Sequence, residues 1–169
     1  ALDTATIAAF GKLLAAPDTA ATALLVVPKW DPTGALGDTV AQTARRVLSD
    51  LADARTSDTR RAEIATALVA LPAHRSEALA KIGSLLSDAA TSETVRTSLL
   101  TTVGDLSGRE AADLLISAFV ASKSAPIFEQ ILKRQETAHA LVAAISANRV
   151  TPAALGPANI ARLRTHPNT

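Results

Sequence analysis

The sequence has no cysteine, no methionine and no tyrosine, and aromatic residues make up only 2% of its 169 residues. Without cysteine the chain cannot form disulfides, thiolate metal sites, haem attachments through cysteine or a cysteine nucleophile. A formal net charge of +1 and few aromatic residues do not favour nucleic-acid binding, which normally uses a basic excess and stacked rings. The sequence has no apolar run of about 18 residues or more, so we predict no membrane span.

The residues that are abundant favour helices. Hydrophobic residues make up 48% of the chain, so a core must be built from leucine, isoleucine, valine and alanine. Apolar residues recur with helical spacing in nearly every segment, and little in the composition favours strands. The sequence therefore predicts an all-α fold.

Turn and capping residues divide this pattern into short helices. We predict a first helix from about Asp3 to Ala16 and the longest one from about Asp38 to Ala54. The clearest loop is expected from Pro28 to Gly34, because two prolines and a glycine stop a helix. Further helices are expected to start at Ser57, at Thr91-Ser92, at a capping box formed by Ser107 and Glu110, and at Thr151-Pro152.

Neighbouring helices joined by short loops would pair as antiparallel hairpins, with a period of about 30 to 40 residues. This period favours a HEAT-like α-solenoid, and a globular helical bundle is the alternative. The length fits one domain over residues 1–169. Because the chain starts at Ala1 and has no methionine, we expect it to be a piece of a larger multidomain protein.

No catalytic motif is present. The three histidines, His74, His139 and His166, lie far apart in sequence and lack the spacing of metal ligands. No serine-nucleophile motif and no phosphate-binding glycine loop occurs. We therefore predict no catalytic, cofactor-binding or metal-binding residue, and we do not expect the chain itself to be an enzyme.

Two features of the first half suggest an interaction surface. Five arginines lie on two consecutive predicted helices and their loop: Arg45, Arg46, Arg55, Arg60 and Arg61. In a hairpin they would share one rim that binds an acidic partner or phosphate groups, although neighbouring carboxylates favour a solvated face. Trp30, between two prolines, is interpreted as a plug over the end of the core in preference to an interface anchor.

Residues 139–168 read HALVAAISANRVTPAALGPANIARLRTHPN, which predicts an amphipathic helix, a capped one-turn helix and a second short helix that stops before Pro167. This stretch resembles the helical-repeat segment of planctomycete and verrucomicrobial proteins that carry a c-type haem-binding domain. The resemblance rests on Leu141-Val-Ala-Ala-Ile145, Val150-Thr-Pro-Ala-Ala-Leu155 and Arg162-Leu-Arg-Thr-His-Pro167. His166 matches the histidine of that motif, where helix termination is the expected role.

The resemblance implies an exported, periplasmic-type redox protein in which this chain is a spacer between a dehydrogenase-like propeller and a Cys-x-x-Cys-His domain. We therefore expect a non-catalytic scaffold and protein-interaction domain without a cofactor of its own. Its expected partners are the neighbouring domains of the parent protein or another protein. The alternative function is binding of a polyanion or nucleic acid through the arginine rim.

Overall fold

The computed structural model describes residues 2–166, which form ten α-helices and one short 3-10 turn, with no strand in that range. The all-α prediction is therefore confirmed for the described part of the chain. The helices are α1 (Thr4–Ala15), α2 (Pro17–Trp30), α3 (Gly37–Ala52), α4 (Asp58–Ala70), α5 (Arg75–Ser87), α6 (Glu93–Gly104), α7 (Arg109–Ser122), α8 (Ala125–Leu132), α9 (Gln135–Ser146) and α10 (Pro152–Thr165).

The chain divides into two compact units, residues 1–82 and 83–169, with the boundary inside α5. In the first unit α2 packs against α1, α3 and α4, and α3 also packs against α1 and α4. In the second unit α7 packs against α6, α8 and α9, and α8 also packs against α6 and α9. The HEAT-like arrangement and the single domain over residues 1–169 stay predictions.

Aliphatic side chains form the core of each unit, as the composition predicts. In the first unit, fully buried leucines and isoleucines come from every helix between α1 and α5: Leu14, Leu24, Leu51, Ile64, Leu68 and Ile82. In the second unit, Phe119 and Phe128 are fully buried with ring centres 5.3 Å apart. Small residues such as alanine let the short helices approach closely, so few large aromatic side chains are needed.

Three of the predicted N-terminal caps are confirmed. Ser57 accepts a hydrogen bond from the N–H of Arg60 at 3.4 Å, and Ser92 accepts one from Val95 at 3.2 Å. The hydroxyl of Thr151 accepts from Ala154 at 3.2 Å. Each hydroxyl satisfies a backbone donor that the first turn of a helix leaves without a carbonyl partner.

The predicted capping box of Ser107 and Glu110 is wrong. Helix α7 is preceded by Gly108, whose φ of 109° is a conformation that glycine adopts readily, and no side chain of its own caps the helix. The N–H of Gly108 instead donates to the carboxylate of Glu136, in the first turn of α9, at 3.0 Å. The partner is distant in sequence, so the local pattern could not reveal it.

The predicted loop from Pro28 to Gly34 begins three residues later than expected, because α2 continues through Pro28 to Trp30. A proline in a helix removes one backbone hydrogen bond and strains the preceding turn. The last turn of α2 tolerates this loss because the helix ends two residues later. There the N–H of Asp31 closes the turn on the carbonyl of Val27 at 2.9 Å.

The predicted break near the C-terminal end is confirmed. Helix α10 is interrupted at Gly156, with φ 75° and ψ 159°, so a one-turn helix after Thr151 is followed by a second helical segment over residues 157–165. His166 follows as the C-cap, and its N–H donates to the carbonyl of Leu163 at 3.3 Å. Pro167, which the sequence places after the helix, lies outside the described residues.

The break at Gly156 gives a testable prediction. Replacement Gly156→Ala forces a side chain into a backbone region open essentially to glycine, and we expect the free energy of unfolding to fall by about 1–3 kcal/mol. Gly11→Ala is the matched control: it lies inside α1 with open space around it, so we expect a gain of about 0.5–1 kcal/mol. Urea denaturation followed by circular dichroism measures both. Equal stability of the two variants would contradict this role of Gly156.

Candidate interaction surface

Arg46 on α3 binds the end of α1. Its guanidinium donates to the carbonyl of Leu14 at 2.7 Å and to that of Ala15 at 2.8 Å. The last turn of a helix leaves carbonyls without an N–H partner, and the negative end of the helix dipole attracts a cation there. Arg46 therefore joins α3 to α1 and is already occupied within the first unit.

Arg60 has a similar role at the start of α2. Its guanidinium donates to the carbonyl of Pro17 and pairs with Glu63, one turn along α4, at 3.1 Å. The side chain thus connects the first turn of α4 to the junction between α1 and α2. This contact, like that of Arg46, joins elements distant in sequence.

The other three arginines are arranged differently. Arg55 is exposed and pairs with Asp53 at 2.7 Å, while Arg61 is 7% exposed and Arg45 is exposed. Hydrogen bonds from the side chain and backbone N–H of Arg55 lower the pKa of Asp53 to about 2. Because most of the five arginines are either paired or buried, the arrangement favours a structural role for them over an open anion-binding rim.

An apolar cleft of about 220 Å³ lies between α1 and α2. Its described lining consists of apolar side chains and threonines: Phe10, Leu13, Thr19, Thr22, Ala23 and Val26. Leu13 is 42% exposed although it is a large aliphatic residue. The hydroxyl of Thr19 donates to the carbonyl of Leu13 at 2.7 Å, so this polar group is satisfied inside the protein and leaves the cleft apolar.

Trp30 extends this apolar surface. It lies one helical turn beyond Val26. Successive members of the series Thr19, Ala23, Val26 and Trp30 are four, three and four residues apart, so all of them lie on the same side of α2. Trp30 is 62% exposed, so its interpretation as a plug over the core is wrong. The cleft residues and Trp30 together form what we call the interaction face.

Asp31 fixes the chain directly after Trp30, a role that the sequence reading missed. Its carboxylate accepts N–H bonds from Leu36 at 2.7 Å and Ala35 at 3.0 Å, and a hydroxyl bond from Thr33 at 3.1 Å. The N–H of Leu36 is the main cause that holds the pKa of Asp31 below its ordinary value. An aspartate before a Pro-Thr-Gly turn is the local signal that would have indicated this role.

Several other ionisable residues make contacts within the fold. Asp105 pairs with Lys133, and Glu136 accepts the N–H of Gly108. His74 is half-buried and His139 is exposed. Over residues 2–166 no group of three or more potential ligands is placed to hold a metal ion, and no helix of that range is long and apolar enough to cross a membrane.

Comparison of the chain with protein-family models, with curated proteins and with solved structures finds no match. The resemblance of residues 139–168 to the helical segment of haem-domain proteins therefore stays a hypothesis that rests on the sequence.

The contact of Arg46 predicts a difference between two adjacent arginines. Arg46→Ala removes the donor to the carbonyl of Ala15 and the nearer donor to that of Leu14, which the hydroxyl of Thr43 also contacts at 3.4 Å, so we expect the free energy of unfolding to fall by about 1 kcal/mol. Arg45→Ala removes an exposed side chain from the same helix and should change it by less than about 0.5 kcal/mol. Urea denaturation distinguishes them. A loss of equal size in both variants would contradict a capping role for Arg46.

The pair of Asp53 and Arg55 predicts a pH dependence. The pKa of Asp53 is lowered from 3.8 to about 2, so the pair stabilises the fold above pH 3.8 and this contribution is lost as the pH falls towards 2. We expect an NMR titration of the Asp53 carboxyl to show the low midpoint, and Arg55→Ala to move it back towards 3.8. A midpoint unaffected by this replacement would contradict the assignment.

Proposed function

We propose that this chain is a non-catalytic helical module that binds another protein through the interaction face of α1 and α2. The observation that carries the proposal is the coincidence of an exposed tryptophan, an exposed leucine and an apolar cleft on one pair of helices. Tryptophan is enriched among the residues that contribute most to protein interfaces. An exposed apolar surface of this kind is typical of a binding site.

The occupant that fits this face is an amphipathic helix of the partner. Other surfaces of α1 and α2 already pack against helices of the first unit: α3 contacts both of them, and α4 contacts α2. The cleft offers the same kind of groove, and Thr19, Thr22 and Ala23 are small enough for a third helix to approach closely. Binding would use aliphatic side chains of the partner at helical spacing, as in other helix-in-groove complexes.

The resemblance of residues 139–168 adds a proposal about the identity of the partner. It would be a neighbouring domain of an exported redox protein in which this chain is a HEAT-like spacer. The cofactor and the chemistry would belong to that domain, and no residue of this chain is assigned to them. Binding of a polyanion is the weaker alternative, because Arg46, Arg55 and Arg60 are engaged in contacts within the first unit.

The fluorescence of Trp30, the single tryptophan of the chain, tests this proposal. We expect its emission to shift to the blue when a purified flanking domain of the parent reading frame is added, because binding removes the ring from water. By calorimetry, Trp30→Ala should weaken binding about 30-fold and Leu13→Ala about 10-fold. Val142→Ala is the matched control, since Val142 is 40% exposed but lies in the second unit, and it should bind normally.

Two results would contradict the proposal. One is the absence of any emission change and of any heat of binding with each flanking domain at about 100 µM. The other is a concentration-dependent dimer, seen by sedimentation, that Leu13→Ala abolishes, because the face would then bind a second copy of this chain. Circular dichroism should show that both alanine variants keep the wild-type helix content, since Trp30 is 62% and Leu13 is 42% exposed and neither is part of the fully buried core.

A further inference from the structure

The second segment of α10, residues 157–165, follows a break in the helix at Gly156. Gly156 adopts φ 75° and ψ 159°, and Pro157 has no N–H with which to continue the backbone hydrogen bonds of the preceding turn. The side-chain amide of Asn159 bridges the break by donating to the carbonyl of Leu155 at 2.9 Å. Rotation at Gly156 would redirect the segment at the cost of this one hydrogen bond, without unwinding either helical part.

One arginine of this segment makes an ion pair with α8. Arg162 donates two hydrogen bonds to the carboxylate of Glu129 on α8, at 2.6 Å and 2.9 Å. The two side chains are 47% and 53% exposed, so water and salt weaken their attraction. Leu163, 9% exposed, is the buried apolar side chain of the segment.

The same arginine covers an aromatic ring of the core. The guanidinium carbon of Arg162 lies 5.6 Å from the centre of the Phe128 ring, which is a cation–π contact. Phe128 is fully buried and packs on Phe119. Displacing the segment would take Arg162 away from this ring and give water access to Phe128, while α7 and α8 keep their own packing.

We propose that residues 157–165 form a strap that opens and closes about Gly156, and that opening uncovers Phe128 on α8. The device lies in the second unit, whereas the interaction face belongs to the first. Its closed state depends on the contacts of Arg162 with Glu129 and Phe128, and its open state presents an apolar ring that is otherwise hidden. High salt favours the open state, because it screens the exposed ion pair more than it weakens the buried core.

Amide hydrogen exchange of the full chain, read by mass spectrometry, tests the strap. We expect residues 158–165 to exchange at least about 100-fold faster than α7, because local opening needs less free energy than unfolding of the unit. Arg162→Ala should raise exchange of the strap about 5-fold and leave α7 unchanged. Arg164→Ala, which removes the neighbouring exposed arginine, should behave like the wild type. Raising salt to about 1 M should accelerate exchange in the wild type but not in Arg162→Ala.

Fluorine NMR tests the uncovering of Phe128. The chain has three phenylalanines, so fluorophenylalanine labelling gives few signals. We expect the Phe128 signal to move in high salt and in Arg162→Ala, while that of Phe10, in the first unit, stays in place.

The proposal is overturned if the strap and α7 exchange at one rate and respond together, because the segment then opens only with the unit. Equal effects of Arg162→Ala and Arg164→Ala would overturn it too, as would a Phe128 signal that salt leaves unchanged.

Discussion

Several polar side chains of this protein donate hydrogen bonds to carbonyl groups at the ends of helices. The chain is folded into short helices, and each ends with carbonyls that no N–H of the helix can reach. Side chains from elsewhere supply the missing donors: Arg46 binds the end of α1, and Arg75 binds the carbonyl of Val69 in α4 at 2.8 Å. The hydroxyl of Thr137 does the same for Ile131 at 2.5 Å. Much of the arginine and threonine content is therefore structural.

This use of side chains explains what the sequence could and could not predict. Helix positions and the caps at Ser57, Ser92 and Thr151 follow from residues close in sequence, and so does the break at Gly156. The contact of Gly108 with Glu136 joins residues 28 positions apart, and that of Arg46 with Leu14 joins residues 32 apart, so no local pattern contains them. The predicted arginine rim was a local pattern, but Arg46 and Arg60 bind carbonyl groups of residues 32 and 43 positions away.

The exposed position of Trp30 depends on how α2 ends. The proline-rich segment predicts a loop, but the helix gains its last turn because Asp31 closes it and holds the following turn through the N–H groups of Ala35 and Leu36. The tryptophan consequently stays in helical register with Val26. A loop would have left the ring free to fold over the core, whereas the helix holds it outside. The last turn of α2 is therefore what places Trp30 on the exposed apolar face.

The two surfaces that we propose differ in what prevents unwanted association. On α1 and α2 the apolar face is open, and its small size together with the threonines along the cleft limits the exposed apolar area. On α8 the aromatic ring is covered by a segment of the chain itself, held by an ion pair that water partly screens. Phe128, like the exposed Trp30 of α2, has a large apolar ring that favours contact with other molecules when it is uncovered. The weakly attached strap keeps the Phe128 ring out of water until a more favourable contact displaces the strap.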